Sequence, residues 1–174
     1  WAFDFNTNTW TEMKPETSPP GRNFQAMTYD SKADRVLAWG CYDENGVKPV
    51  DESIWAYDFN TNTWTEMKPD NEVHPAGRDF TQMVYDAKAD RTILYGGNRG
   101  GTETWAFDYN TNTWMKLEPT ETPDGIEEHG MVYNSSADRV ILFGGFLNGT
   151  ENPSGKTWTY DFNTNTWTNV TSKP

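Results

Sequence analysis

The stretch Trp1-Ala2-Phe3-Asp4-Phe5-Asn6-Thr7-Asn8-Thr9-Trp10 decides the fold, because it returns at residues 55–64, 105–114 and 158–167. In the second copy Trp55, Tyr57 and Phe59 alternate with Ala56 and Asp58, the period of two expected of a half-buried strand. The Asn-Thr-Asn-Thr that follows is turn chemistry, since asparagine tolerates a left-handed backbone and its side chain bonds the main chain two residues on. Each closing tryptophan, Trp10, Trp64, Trp114 and Trp167, then opens a second strand, so the phrase predicts a β-hairpin.

Working outward, the copies begin at Trp1, Trp55, Trp105 and Trp158. A unit of about 50 residues suits a four-stranded blade better than helical hairpins, which repeat at about 34. Between the hairpins a second strand pair recurs, at residues 24–29 then 35–39, 80–85 then 91–95, and 129–133 then 139–143. Their linkers are near copies, 30–34, 86–90 and 134–138, each ending in Ala-Asp. The second strand of each pair ends in Gly96-Gly97, Gly144-Gly145 or the variant Gly40-Cys41, where glycine permits a sharp bend and a positive φ.

This pattern resembles the kelch repeat family, with blades like those of the galactose-oxidase central domain. Its blade carries a double glycine after the second strand and an aromatic ring separated by six residues from a following tryptophan. Here the ring and tryptophan are Phe3 and Trp10, Tyr57 and Trp64, Phe107 and Trp114, and Tyr160 and Trp167. The resemblance implies an all-β propeller section and, in function, a protein-binding or glycan-binding module. The expected organisation is one unit over residues 1–174: an N-terminal half-blade (1–14) and three four-stranded antiparallel blades (15–68, 69–118 and 119–174). An arc of that kind leaves aromatic blade faces open, to be covered by flanking sequence or by copies that complete a ring or assembly by self-association.

Composition narrows the partners. With 14 basic and 26 acidic residues the formal charge is -12, the wrong sign for gripping nucleic acid. Only 34 % of residues are hydrophobic but 15 % are aromatic, so the core has to be built from rings. One Cys and two His are too few for a structural zinc site of the usual composition, and no apolar run is long enough for a membrane span. Sequons at Asn134, Asn148 and Asn169, with the acidic charge, lean towards an extracellular or cell-surface setting.

The two ends of the meander differ. The 1–2 and 3–4 turns are nearly constant and read as structural, whereas the opposite rim diversifies after Cys41, Gly97 and Gly145 and in the Pro-rich connections before each blade. Recognition residues expected on that rim are Arg22, Arg78, Tyr42, Asp43, Lys48, His74, Arg99 and Phe146, which offer planar donors and rings to a peptide or sugar.

Catalytic and metal readings are weaker. Asp4, Asn6 and Asn8 space oxygens as the start of a calcium loop does, but Thr9 replaces the glycine and Pro15 the closing acid, so turn capping is the favoured role. No spacing marks a nucleophile with a His and a carboxylate, and the carboxylate pairs that a glycan-active enzyme would need arise by chance among so many acids. Copper chemistry would need several His and Tyr ligands, yet His74 and His129 stand in different contexts. No cofactor is expected. His129 stands where Gln25 and Thr81 do in other units, which predicts a polar lining or a buried hydrogen bond. Arg35, Arg91 and Arg139 each follow an Asp, which predicts ion pairs or stem packing across blades.

Overall fold

The computed structural model describes residues 1–40, 53–69, 72–98 and 101–172. Alternating side chains and short turns produce only β-structure there. A hairpin of β1 (Ala2–Asp4) and β2 (Thr9–Thr11) comes first. The first blade contains β3 (Ala26–Asp30), β4 (Arg35–Trp39), β5 (Ile54–Asp58) and β6 (Thr63–Met67). The second contains β7 (Gln82–Asp86), β8 (Arg91–Tyr95), β9 (Thr104–Asp108) and β10 (Thr113–Leu117). The third contains β12 (Gly130–Asn134), β13 (Arg139–Phe143), β15 (Thr157–Asp161) and β16 (Thr166–Asn169). Two strands too short for any periodic signature, β11 (Ile126–Glu127) and β14 (Phe146–Leu147), pair with each other beside the third blade.

The three blades are antiparallel meanders whose two faces differ. In the third, Met131, Tyr133, Val140, Leu142, Trp158, Tyr160 and Trp167 share one face, rich in rings. They pack on Val84, Ile93, Tyr95 and Ala106, the smaller-residue face of the second blade. The second blade repeats the arrangement on the first, placing Met83, Leu94, Trp105, Phe107 and Trp114 against Ala26, Leu37, Trp39, Ile54 and Ala56. A ring face on a small face is therefore the unit of stabilisation, and area removed from water is its source. The end faces lack this cover: Met27 and Tyr29 on the first blade, and Val132 and Phe143 on the last, are exposed.

The first strands of the blades, β3, β7 and β12, lie side by side around the axis. Just before them, the Phe80 amide donates to the Phe24 carbonyl (3.3 Å) and the Glu128 amide to the Phe80 carbonyl (3.1 Å). Phe24, Phe80 and Glu128 all have positive φ (54°, 55° and 57°). The strands consequently begin two residues later than alternation predicts in the first two blades and one residue later in the third, where His129 precedes its strand instead of lying within it. Glycine is required where blades approach closely. A Cβ on Gly96 (φ 69°) would lie 2.5 Å from the Ile126 carbonyl of the next blade, and one on Gly97 (φ 89°) 2.6 Å from the Asp79 carbonyl of its own. Cys41, at the corresponding second position of the first blade, lies outside the described residues.

The constant end uses its polar atoms internally. The Asp4 carboxylate accepts the Asn6 and Thr7 amides (2.8 and 3.2 Å), Asp58 and Asp108 accept both equivalents, Asp161 accepts the Asn163 amide (3.0 Å), and Asn8 is left-handed (φ 56°). The residues weighed for calcium thus cap a turn. The arginines correct one expectation: Arg35, Arg91 and Arg139 pair with Asp58, Asp108 and Asp161 (2.9, 2.8 and 2.7 Å) on the neighbouring strand of the same blade. Among the described residues the ion pairs that cross between blades are Lys32–Asp90 and Lys88–Asp138 (2.6 and 2.8 Å).

Candidate functional site

At the variable end the chain entering each blade turns inward, and the left-handed residues there define an axial mouth. Gln25, Thr81, Gln82 and the side chains of Phe24, Phe80 and Glu128 line a cavity of about 300 Å³. The Phe24 and Phe80 rings lie 4.2 Å apart at 35°, and Phe24 remains 54 % exposed although it is a large apolar residue. A bulky side chain at positive φ is sterically costly, and it persists here because the amide-to-carbonyl ladder over-determines the backbone.

The mouth is acidic. Asp79 is buried and one of its oxygens, Oδ1, has no hydrogen-bond partner among the described residues. Burial, with the charges of Asp79 and Glu128, pushes the Glu127 carboxyl above its usual range. Carboxylates crowded in this way favour a nearby cation, because neutralising one relieves the others.

The structure does not gather the residues that the sequence assigns to the rim into one cluster. Arg78 is 1 % exposed and bonds the Glu103 carboxylate (2.7 Å) and the Ala76 carbonyl (3.0 Å), so its planar donor holds the second blade together and is not presented to solvent. Arg22 is half-buried and donates to the Pro20 carbonyl (3.2 Å). The His74 ring is within 3.3 Å of the Pro75 carbonyl. Phe146 stands on β14, opposite Glu127 of β11. Tyr42, Asp43, Lys48 and Arg99 lie outside the described residues. Of the sequon residues, Asn148 donates to the Gly97 carbonyl (3.2 Å), and Asn134 caps the 134–138 turn through the amides of Ser136 and Ala137 (3.1 and 3.0 Å).

Phe24, Phe80, Asp79, Glu127 and Glu128 were not among the expected site residues. The available signal was the repeated Gly-Arg-x-Phe of residues 21–24 and 77–80, a glycine-led turn that alternation alone reads as the start of a strand.

His129 is 2 % exposed, and neither ring nitrogen has a hydrogen-bond partner among the described residues, so the expected buried hydrogen bond is not formed. The Tyr95 ring meets it edge-on at 6.0 Å. Burial pushes its pKa down to about 4. As pH falls, the unfolded chain takes up this proton first. Stability is therefore whole above the unfolded value near 6.5 and is lost towards about 4, by up to about 3 kcal/mol. Urea unfolding between pH 7 and pH 4 measures that loss, and His129→Gln removes it. Comparing the two curves separates His129 from Glu127, whose raised pKa acts in the opposite sense.

Among the described residues no helix is long and apolar enough to cross a membrane, and no group of three or more His, Cys, Asp or Glu is placed to hold a metal ion. A family model described as the KLHDC2/KLHL20/DRC7 Kelch-repeats domain matches residues 31–174.

Proposed function

Because the chain belongs to the kelch-repeat family, whose repeats mediate protein–protein interaction, we propose that it is a non-catalytic interaction module that receives a cationic segment of a partner protein at its axial mouth. The observation that carries this reading is exposed Phe24, stacked on half-buried Phe80 beside Glu128. A lysine or arginine of the partner lies over a ring face while its charge meets the carboxylates, a combination of cation–π and ion-pair attraction. The acidic net charge steers such a partner towards the protein.

Selection from a displayed random-peptide library on the immobilised chain tests this. The expected winners are rich in Lys and Arg, and Phe24→Ser or Glu128→Lys weakens them about tenfold or more while the melting temperature stays within about 2 °C, both side chains being exposed. Winners with no basic enrichment, or indifferent to both substitutions, overturn the reading. Retention of a glycan in preference to any peptide would replace it with the carbohydrate-binding alternative.

A further inference from the structure

The arm formed by β11 and β14 grips the second blade at one residue, Gly97. The Gly97 amide donates to the Ile126 carbonyl (2.8 Å), and the Gly97 carbonyl accepts from Nδ2 of Asn148 (3.2 Å). Both polar groups of this glycine are therefore held by the third blade, one of them by a single side chain. The clasp lies between two blades that are both present, well inside the sequence.

Asn148 sits in the turn Leu147-Asn148-Gly149-Thr150, which the Thr150 amide closes on the Leu147 carbonyl (2.9 Å) with Gly149 at φ 73°. Asparagine is a thermally labile residue. Before glycine it is most so, because no side chain obstructs attack of the next main-chain nitrogen on its own side-chain carbonyl carbon. Here Gly149 is exposed, and no atom lies within 4 Å of the place its Cβ would take. Among the described residues its amide donates to no acceptor, so the nucleophile is free. Oδ1 of Asn148 is buried without a partner among the described residues, which leaves the Nδ2 bond to Gly97 as the one hydrogen bond restraining that side chain.

We propose that Asn148 is a site of spontaneous deamidation and that its conversion releases the third-blade arm from the second blade. The Gly149 nitrogen bonds to Cγ of Asn148, and its proton leaves with the side-chain amide as ammonia. Water then opens the succinimide at Cγ to give aspartate, or at the main-chain carbonyl carbon to give isoaspartate. Either product carries a carboxylate and has lost the donor. In the aspartate form one oxygen faces the Gly97 carbonyl, acceptor against acceptor, and the other occupies the place where Oδ1 already lacks a partner. A charge in that position is costly, and outward rotation of the side chain relieves it. Isoaspartate also adds a methylene to the main chain beside the Asn148 amide, which holds the Gly125 carbonyl (2.9 Å). The freed arm includes Phe146, which opposes Glu127. Loss of the clasp does not depend on what the mouth binds.

The test is to keep the intact chain in mildly alkaline buffer, to separate its acidic forms by anion exchange over time, and to map residues 145–152 by mass. Asn148 should convert to a mixture of aspartate and isoaspartate. In the converted chain the Gly97 amide should exchange hydrogen about tenfold faster or more, and Asn148→Asp should reproduce that change with a melting temperature lower by about 3 °C or more. Gly149→Asn, which tolerates a positive φ but hinders the nucleophile, should slow conversion several-fold. Asn45, the other asparagine that precedes a glycine, lies outside the described residues, and the mapping reads it separately. An Asn148 that remains an amide, whether or not Asn45 converts, overturns the proposal. So does unchanged Gly97 exchange in the converted chain and in Asn148→Asp, or an unchanged conversion rate in Gly149→Asn.

Discussion

Trp114→Ala is expected to destabilise the protein by about 4 kcal/mol, whereas Trp10→Ala, in a nearly identical stretch of sequence, costs about 1 kcal/mol or less. The difference comes from packing and not from the motif. Trp114 is 3 % exposed and meets Trp39 (5.7 Å), Phe107 (5.2 Å) and Trp105 (6.4 Å), so truncation opens a cavity in the seam between two blades. Trp10 is 65 % exposed and, among the described residues, stacks only on Phe3 of its own hairpin, at 5.0 Å. Trp167, buried against Tyr95 and Tyr160, should behave like Trp114, and half-buried Trp64 should fall between. Urea midpoints of the four variants give the ranking, provided the m-value is unchanged. Four equal losses would mean that the tryptophans act within their hairpins and that blade stacking contributes little.

Glu103→Ala should cost about 3 to 5 kcal/mol, because it strands the Arg78 guanidinium in the interior without its counter-charge. The carboxylate accepts from Arg78 (2.7 Å), Lys116 (2.7 Å) and the Trp105 indole (3.2 Å). Burial alone would raise its pKa, but those three donors hold it down to about 2. A pKa depressed on folding means stability that is present above the unfolded value near 4.5 and is lost only as pH falls towards about 2. The controlling experiment is the pair of variants. Arg78→Met with Glu103→Ala should recover most of the loss, since a buried pair replaced by apolar atoms is often tolerated. A double variant as unstable as Glu103→Ala alone would show that lost packing, and not an orphaned charge, sets the cost.

The contrast between Arg78 and its sequence counterpart Arg22 marks how far the chain can be read unaided. Hairpins, blade boundaries and the double glycine were legible because each rests on local chemistry repeated in register. Ring alternation, left-handed Asn62 and Asn112, and glycines pressed on a neighbouring carbonyl are of this kind. The fate of Arg78 was not legible, because Glu103 stands 25 residues away and only the folding of the second blade brings them together. Arg35 misled for a related reason: its partner Asp58 is set by strand register, which adjacency to Asp34 does not reveal. The mouth escaped notice because the strand is read from Phe24 onward, whereas the backbone at Phe24 has a positive φ and the strand begins only at Ala26. Alternation reports which side a residue faces and is silent on whether φ has changed sign.

Stacking of blades about a common axis underlies the mouth, and the tryptophan indole protons report on it directly. The Trp167 indole donates to the Thr104 hydroxyl of the preceding blade at 3.0 Å, across 63 residues of sequence. In a proton NMR exchange experiment, the Trp167 indole proton should exchange slowly and show cross-relaxation to Thr104, while that of exposed Trp10 exchanges freely. Equal exchange at the two sites, or cross-relaxation from Trp167 confined to its own hairpin, would contradict the account.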